Sequence, residues 1–459
     1  MMLNQYQHSD TSYIELINQT YSYCPECLEV IPSRIINKDG KVFLQKECTI
    51  DGFSETLIEN DVKFYKKIIK YVKNDPDVLK FANVPLDGIT NEKLIYNEIM
   101  IYLTSKCNLN CPICFLETKI NEVPFDIIKK LAICRRKWII LSGGEPTLRE
   151  DLPKIISEIV KSNNIPIIQT NGLKLSDFEY TKRLRKAGLK FVHFSFNGFD
   201  PVNYKDLYGN ENLLGIKLRA IGNLNKLGFR VFLSMALVEG MEENIKETLE
   251  FVAKNRGCIK GIFLRPVYPT RGMNDFCTIT LSDVIRMTER ATNKKITEGD
   301  FIGFKRLRWN IYSLVKRILG KRTAKGLCPD IRLGLPLKVR KERYEPIFNH
   351  KKLNRLNNML ENSLEENNRV LFLLKLIKSV PSFFALSRKN FIFLLFSVLK
   401  NGFDRTKIKI NTFDKKDIIH VWIDMLQGPR NVDLSMNIDM YRLVFKNGER
   451  ITLQTLYAA

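Results

Sequence analysis

Between residues 95 and 275 the chain alternates short apolar runs with longer stretches whose apolar residues recur every three or four positions. The runs at 99–104, 138–142, 165–169, 190–196, 229–235 and 259–265 predict strands. The stretches near 123–134, 151–162, 177–187, 213–227 and 243–255 predict amphipathic helices between them. Six strands with intervening helices imply an α/β fold with a parallel sheet and right-handed crossovers. Both a doubly wound sheet and an incomplete TIM-like barrel satisfy that pattern. The flanks read differently. Residues 1–90 contain a cysteine cluster, a short strand-like run from Lys41 to Gln45 and a basic helix-like segment from Val62 to Val72. Residues 276–459 read as mainly helical to about 400, with strand-like patterning after 408 around the turn Lys446-Asn-Gly-Glu. The expected domains are therefore 1–90, 91–275 and 276–459.

Composition narrows the setting. The 459 residues carry a net charge of +23. Such an excess suits an anionic partner (nucleic acid, a membrane surface or an acidic substrate), or equally a solvated basic surface. Ten cysteines are too few for a disulfide scaffold in so long a chain, and six of them cluster at short spacings, as metal ligation in a reducing compartment requires. The polar N-terminus lacks a signal-peptide core, and no run reaches the roughly 18 apolar residues of a spanning helix. A cytoplasmic protein is expected.

The segment Cys107-Asn-Leu-Asn-Cys111-Pro-Ile-Cys114-Phe115 leaves the first predicted strand of the central region. Three thiolates in one loop can bind three irons of a 4Fe–4S cubane and leave the fourth open. A zinc site would want a fourth ligand nearby, and none is evident; three buried thiols are the other reading. At the end of the next strand stands Ser142-Gly143-Gly144-Glu145-Pro146, where paired glycines allow close backbone approach and exposed amides. Glu145 then occupies the usual functional end of a parallel α/β strand.

Together, CNLNCPICF and SGGEP resemble the radical S-adenosylmethionine (SAM) superfamily over about residues 95–270. The resemblance implies a partial (β/α)6 TIM-like barrel and a 4Fe–4S cluster on Cys107, Cys111 and Cys114. It implies SAM chelated at the open iron, with Ser142, Gly143, Gly144, Glu145 and Pro146 near its amine. Ser195 and Asn197 match positions that meet the ribose or carboxylate, and Thr170 and Asn171 match a cofactor-lining turn with Gly172. Ordinary strand-end capping is the alternative for Ser195 and Asn197. Arg265 is a further candidate, and His193 reads equally as core or functional. The implied chemistry is reductive cleavage of SAM to a 5′-deoxyadenosyl radical that abstracts hydrogen from an unactivated carbon, with a ferredoxin or flavodoxin as one-electron reductant.

A second cluster, Cys24-Pro-Glu-Cys27 followed by Cys48-Thr-Ile-Asp51, has the spacing of a zinc-ribbon or rubredoxin-like domain. Asp51 takes the fourth ligand position by spacing, so the expectation is a structural zinc or a decayed site. The surrounding segment resembles the tetraether lipid synthase-like branch of radical SAM proteins, where a His usually stands in place of Asp51. Relatives of that branch often carry cysteines near the C-terminus; Asn437–Ala459 has none, so an auxiliary cluster there is not expected. Cys258, Cys277 and Cys328 are widely spaced and read as buried free thiols.

The substrate is the open question. The apolar and basic stretch 369–400, with Lys375, Lys378, Arg388, Lys389 and Lys400, predicts either amphipathic helices peripheral to an anionic membrane or a pair of core helices. The first suits C–C coupling or methylation of a lipid chain. A pterin, another cofactor or a peptide is the alternative substrate, and a basic zinc-ribbon nucleic-acid-binding protein the alternative of another class. No nucleic-acid-binding fold is recognisable among the basic residues.

Overall fold

Six parallel strands stand side by side in sequence order at the centre of the computed structural model. It describes residues 14–27, 29–72, 98–114, 122–132, 138–267, 279–324, 332–368, 371, 374–375, 417–424, 442–446 and 449–451. The six are β5 (Glu98–Thr104), β6 (Trp138–Gly143), β7 (Ile165–Thr170), β8 (Phe191–Ser195), β9 (Arg230–Leu237) and β10 (Ile259–Pro266). No strand is inserted out of order between them, so the chain winds in one direction, as in a TIM-like barrel, and does not reverse as in a doubly wound sheet. All six predicted strands and all five predicted helices of this region are present, with ends within two residues of expectation.

One face of each strand packs under helices. On α3 (Leu152–Lys161) the stripe Leu152, Ile155, Ile156 and Ile159 is fully buried, and it meets Ile139, Leu141 and Ile168 in the main core. On the other face, Ser142, Gln169, His193, Ser195, Ser234 and Arg265 remain partly exposed. The sheet therefore has a greasy outside and a polar, accessible inside.

The flanks extend this sheet. On one side β10 is followed by β13 (Ile418–Ile423, parallel), β11 (Leu333–Arg340, antiparallel) and β12 (Arg343–Pro346). On the other, β5 pairs in parallel with β14 (Arg442–Lys446), which forms a hairpin with β15 (Glu449–Ile451) at the expected turn. Strands at 333–346 were not expected: Leu333, Leu335, Leu337 and Val339 alternate, but Gly334 and Pro336, residues disfavoured inside strands, stand between them. The expected helices are α8 (Leu281–Ala291), α9 (Glu298–Ala324) and α10 (His350–Leu364). Apart from 371 and 374–375, the stretch 369–400 lies outside the described residues, as do Cys277 and Cys328. Among the described residues no helix is long and apolar enough to cross a membrane.

The N-terminal unit is a four-stranded antiparallel sheet, β1 (Ile14–Tyr23), β2 (Val30–Lys38), β3 (Lys41–Cys48) and β4 (Gly52–Glu59), closed by α1 (Val62–Ile69). Only β3 and α1 were predicted. Its seam with the rest of the chain is both apolar and polar. Phe64 and Ile68 of α1 enter the main core. The buried carboxylate of Glu59 accepts from Thr280 Oγ1 (2.6 Å) and Ser282 Oγ (2.5 Å) at the start of α8, while burial pulls its pKa upward.

Candidate metal and cofactor site

The cysteine loop begins where β5 ends and is gripped from two sides. The first grip is the turn after β6. Gly144 N donates to Thr104 O (2.7 Å) and Glu145 N donates to Lys106 O (2.8 Å). A Cβ on Gly143 would stand 2.3 Å from Thr104 O, and one on Gly144 2.5 Å from Lys106 O. These glycines let the turn press against the backbone that launches the cysteines, and their neighbouring amides are committed to that backbone. The second grip is α5 (Pro201–Tyr208), a helix absent from the sequence reading. Leu109, Cys111 and Ile113 pack against its Tyr204, Leu207 and Tyr208. Gly209, the helix's left-handed cap, sits 3.3 Å by its would-be Cβ from Asn110 O.

Glu145 ties this arrangement to the turn after β7. Its buried carboxylate accepts from Thr147 N (3.0 Å), Thr147 Oγ1 (2.6 Å), Thr170 Oγ1 (2.7 Å) and Asn171 N (2.7 Å). Pro146 starts the short 3-10 turn that Glu145 caps. Asn171 in turn reaches the cysteine loop, donating from Nδ2 to Asn108 Oδ1 (2.7 Å) and approaching Cys107 Sγ at 3.9 Å. Cys107, Glu145, Thr170 and Asn171 are thus one connected unit. Ser142 faces the inner side of the sheet and donates to Gln169 Oε1 (2.8 Å). Asn197 is fully buried, with Nδ2 on Ala236 O (2.9 Å) and Oδ1 accepting from Tyr208 OH (2.7 Å), so it holds strand ends together.

Sequence reading missed Lys217. It lies on α6 (Leu213–Lys226), fully buried, and its Nζ donates to Asn171 O (2.7 Å), Ser195 O (2.8 Å) and Ser195 Oγ (3.1 Å). No carboxylate among the described residues pairs with it. Desolvation lowers its pKa to about 7, against the pull of Glu145 and the Cys111 thiolate. A signal was available: Lys217 stands four residues after Leu213 and four before Ile221, inside the apolar stripe of its helix.

The two cysteine clusters have different shapes. In the ribbon, one donor atom each from Cys24, Cys27, Cys48 and Asp51 all lie within 4.8 Å of one another. Cys24 Sγ is 3.1 Å from Asp51 Oδ2, Cys48 Sγ 3.4 Å from the same oxygen, and Cys27 Sγ 3.7 Å from Cys48 Sγ. Tetrahedral zinc with Zn–S near ~2.3 Å brings sulfurs to about 3.8 Å, so this set fits one zinc ion, with Asp51 as fourth donor. The backbone amides of Asp51 and Ile50 point at Cys48 and lower its pKa, while the Asp51 carboxylate pushes Cys27 up to about 12. A bound divalent cation relieves that crowding of negative charge.

Cys107, Cys111 and Cys114 form no such tight set among the described groups. That suits a cubane, which takes each thiolate on a different iron. Cys107 and Cys114 are exposed and Cys111 half-buried; burial, then the neighbouring thiolates, push Cys111 up to about 12. Three thiolates so placed need a cationic cluster to be deprotonated together. Of the remaining candidates, Arg265 forms a fork with Asp424 (2.6 and 3.2 Å) and holds Ser234 Oγ (3.0 Å), His193 packs against Phe232 and Phe263, and Cys258 is a buried free thiol.

Residues 101–252 match the model of the radical SAM superfamily, and residues 16–60 match that of the HMPTM N-terminal zinc ribbon domain. The chain is 35% identical over 307 residues to the 7,8-dihydro-6-hydroxymethylpterin dimethyltransferase of Methanocaldococcus jannaschii, covering 62% of this chain and 60% of that protein. It is 33% identical over 172 residues to the GTP 3′,8-cyclase of Aquifex aeolicus, covering 35% of this chain and 53% of the cyclase. The chain thus spans somewhat over half the length of either relative. Among solved structures, Streptococcus suis SuiB bound to S-adenosylmethionine aligns with a TM-score of 0.37 at 21% identity, over 43% of this chain and 47% of that one.

Proposed function

We propose, for a chain whose residues 101–252 match the radical SAM model and residues 16–60 that of a zinc ribbon domain, that it is a radical SAM enzyme acting on a reduced pterin or a related bicyclic nitrogen heterocycle, with methyl transfer as the reaction. The observation that carries the substrate class is the similarity to the pterin dimethyltransferase over 307 residues, about twice the length of the core match. The lipid reading rests on residues 369–400, which apart from 371 and 374–375 lie outside the described residues, and on the resemblance of the ribbon segment to tetraether-synthase-like proteins.

Cys107, Cys111 and Cys114 would hold the 4Fe–4S cluster. When bound, cluster and SAM supply a one-electron hydrogen-abstracting reagent able to attack unactivated C–H bonds. The chain's own residues do the rest. The Gly143–Glu145 turn and α5 fix the cysteine loop against two rigid elements, so the metal ligands need little reordering on loading. Lys217, donating to Asn171 and Ser195 and without a carboxylate partner among the described residues, would place a buried positive charge there that stabilises a methionyl carboxylate or the cluster's negative charge through the low dielectric. Ser195 would present its hydroxyl beside that charge. The ribbon would hold zinc in a structural role, and an external donor such as a ferredoxin or flavodoxin would supply the electron.

The test is product analysis. The anaerobically reconstituted enzyme, given SAM, dithionite or a flavodoxin system and 7,8-dihydro-6-hydroxymethylpterin, is expected to yield methylated pterin. If 5′-deoxyadenosine forms but the pterin comes back unchanged while an added archaeal-type lipid is modified, the pterin reading is wrong.

A further inference from the structure

The join between the N-terminal sheet and the core is built on carboxylates. Glu59 ends β4 and is 1% exposed. At the start of α8, Ser282 Oγ donates to its Oε1 (2.5 Å) and Ser282 N to its Oε2 (3.3 Å). From its own side, Asn60 N (2.8 Å) and Asp61 N (3.3 Å) donate to Oε1. Thr280 Oγ1 lies 2.6 Å from Glu59 Oε1 and 2.9 Å from Asp283 Oδ2, so one hydroxyl hydrogen stands between two carboxylates. The charges at this join are unequal. Asp61, the N-cap of α1, and Asp283 and Arg286 of α8 face Glu59 across it. Arg286 binds Asp283 (2.7 Å) and Asp61 (3.2 Å), and reaches Glu59 only through Ser282 Oγ (2.9 Å). Farther along, Lys67 of α1 is committed to Glu298 of α9 (2.7 Å). Three carboxylates thus share one guanidinium, and the most buried of them has no ion pair among the described residues.

We infer that Glu59 is a proton-operated latch: protonated, it lets the ribbon sit tightly on α8, and its ionisation loosens that join. The physical reason is charge balance in a dry place. An ionised Glu59 is a third negative charge beside one cation, with the Thr280 hydrogen contested by Asp283. A protonated Glu59 removes that charge and adds a hydrogen to the network. Burial raises its pKa above the ordinary 4.5, outweighing the pull of the Ser282 and Thr280 donors, and Asp283 adds to the rise. The sign follows. Docked Glu59 holds its proton more firmly than undocked Glu59, so the latch is fully closed below pH 4.5. It weakens as pH rises through the docked pKa and levels off above it. Asp283, despite its burial, is held below its ordinary 3.8 by Asn60 and Arg286, so its own titration falls on the acid side of this window. The latch governs how the ribbon is attached and stands independently of the pterin reading.

The test is hydrogen exchange, read by mass spectrometry on the full-length, metal-loaded protein between about pH 5 and about pH 8. Opening constants, corrected for intrinsic exchange rates, are compared in the wild type, Glu59→Gln and Asp283→Asn. Glutamine keeps the shape of the protonated acid and cannot ionise. In the wild type, the opening constant of peptides covering β4, α1 and the start of α8 is expected to rise with pH, by up to about tenfold per unit, and then level off, because one proton is linked to the join. In Glu59→Gln the rise is absent. In Asp283→Asn it ends at lower pH, because the charge opposing ionisation of Glu59 is gone. Peptides covering α3 are the reference and are expected to show no such rise. Wild-type opening constants that do not vary with pH overturn the latch, as does a rise that persists in Glu59→Gln. If Glu59→Gln shows no thermal unfolding transition, Asp283→Asn decides, and a rise identical to that of the wild type overturns the latch.

Discussion

The ribbon and the core each gather cysteines at short spacing, yet the two sets differ in geometry. In the ribbon, four donors from two hairpin ends already stand within 4.8 Å, and backbone amides support Cys48. In the core, three thiols are spread along a loop with two of them exposed, and what is rigid is the scaffold beneath: Gly143–Glu145, Asn171 and α5. The enclosed set suits a structural ion, and the open loop on a rigid platform suits a cluster that must keep one side open.

That contrast can be broken at one cluster without the other. The largest effect is expected from Cys111→Ala: iron loading and SAM cleavage are lost, while zinc, measured by mass spectrometry of the metal content, stays bound. The converse, Asp51→Ala, is expected to lower zinc affinity by roughly a hundredfold, read by chelator competition, and to leave iron loading of the core unchanged. Loss of both metals in either variant would mean that the two sites fold as one.

Lys217→Met sharpens the account of the platform. It is expected to weaken SAM binding about tenfold, through loss of a buried charge beside the Asn171 and Ser195 turns and not of a direct hydrogen bond, since its three N–H donors are on Asn171 and Ser195. Its pH behaviour has a definite sign. The folded pKa, about 7, is below the ordinary lysine value of 10.5, so between these values the unfolded chain binds more protons than the native one. The penalty of burying this cation is full below pH 7 and fades as pH rises towards 10.5. Denaturant midpoints of the cofactor-free proteins should therefore favour Lys217→Met most at pH 6–7, with the gap closing at higher pH. A gap that is constant with pH would remove the buried cation from the account.

The smallest effect is expected from Glu145→Gln. The amide replaces one acceptor oxygen by a donor facing Thr170, Thr147 or the Asn171 amide, leaving a buried donor unsatisfied at a cost of about 1–3 kcal/mol. A lowering of the core's thermal midpoint by a few degrees, about 2–4 °C per kcal/mol less for larger domains, is the readout.

Much of this was legible in the residues. The strands of the core are continuous apolar runs because their helix-covered faces and neighbours are buried, and the turns SGGEP and TNG fall at strand ends where loops carry chemistry. Other parts were hidden for identifiable reasons. The ribbon's β1 and β2 mix exposed apolar residues such as Ile14 and Leu16 with buried polar ones such as Thr20 and Ser33, which inverts the usual alternation. The helix α5 is short and polar, although Asp200, Pro201 and Gly209 mark its two ends. Lys217 was passed over because a lysine in an amphipathic helix is usually read as solvent-facing. The paired glycines were legible as a place of close approach, but what approaches is the cysteine loop itself: their role is to shape the platform.

The central claim is that Cys107, Cys111 and Cys114 hold a catalytic cluster. Its most direct test is anaerobic iron–sulfur reconstitution followed by SAM and dithionite, with metal content and 5′-deoxyadenosine measured on the wild type and Cys111→Ala. About four irons beside one zinc are expected in the wild type, with 5′-deoxyadenosine formed, and neither core iron nor product in the variant. A wild type that takes up zinc alone and leaves SAM intact would contradict it.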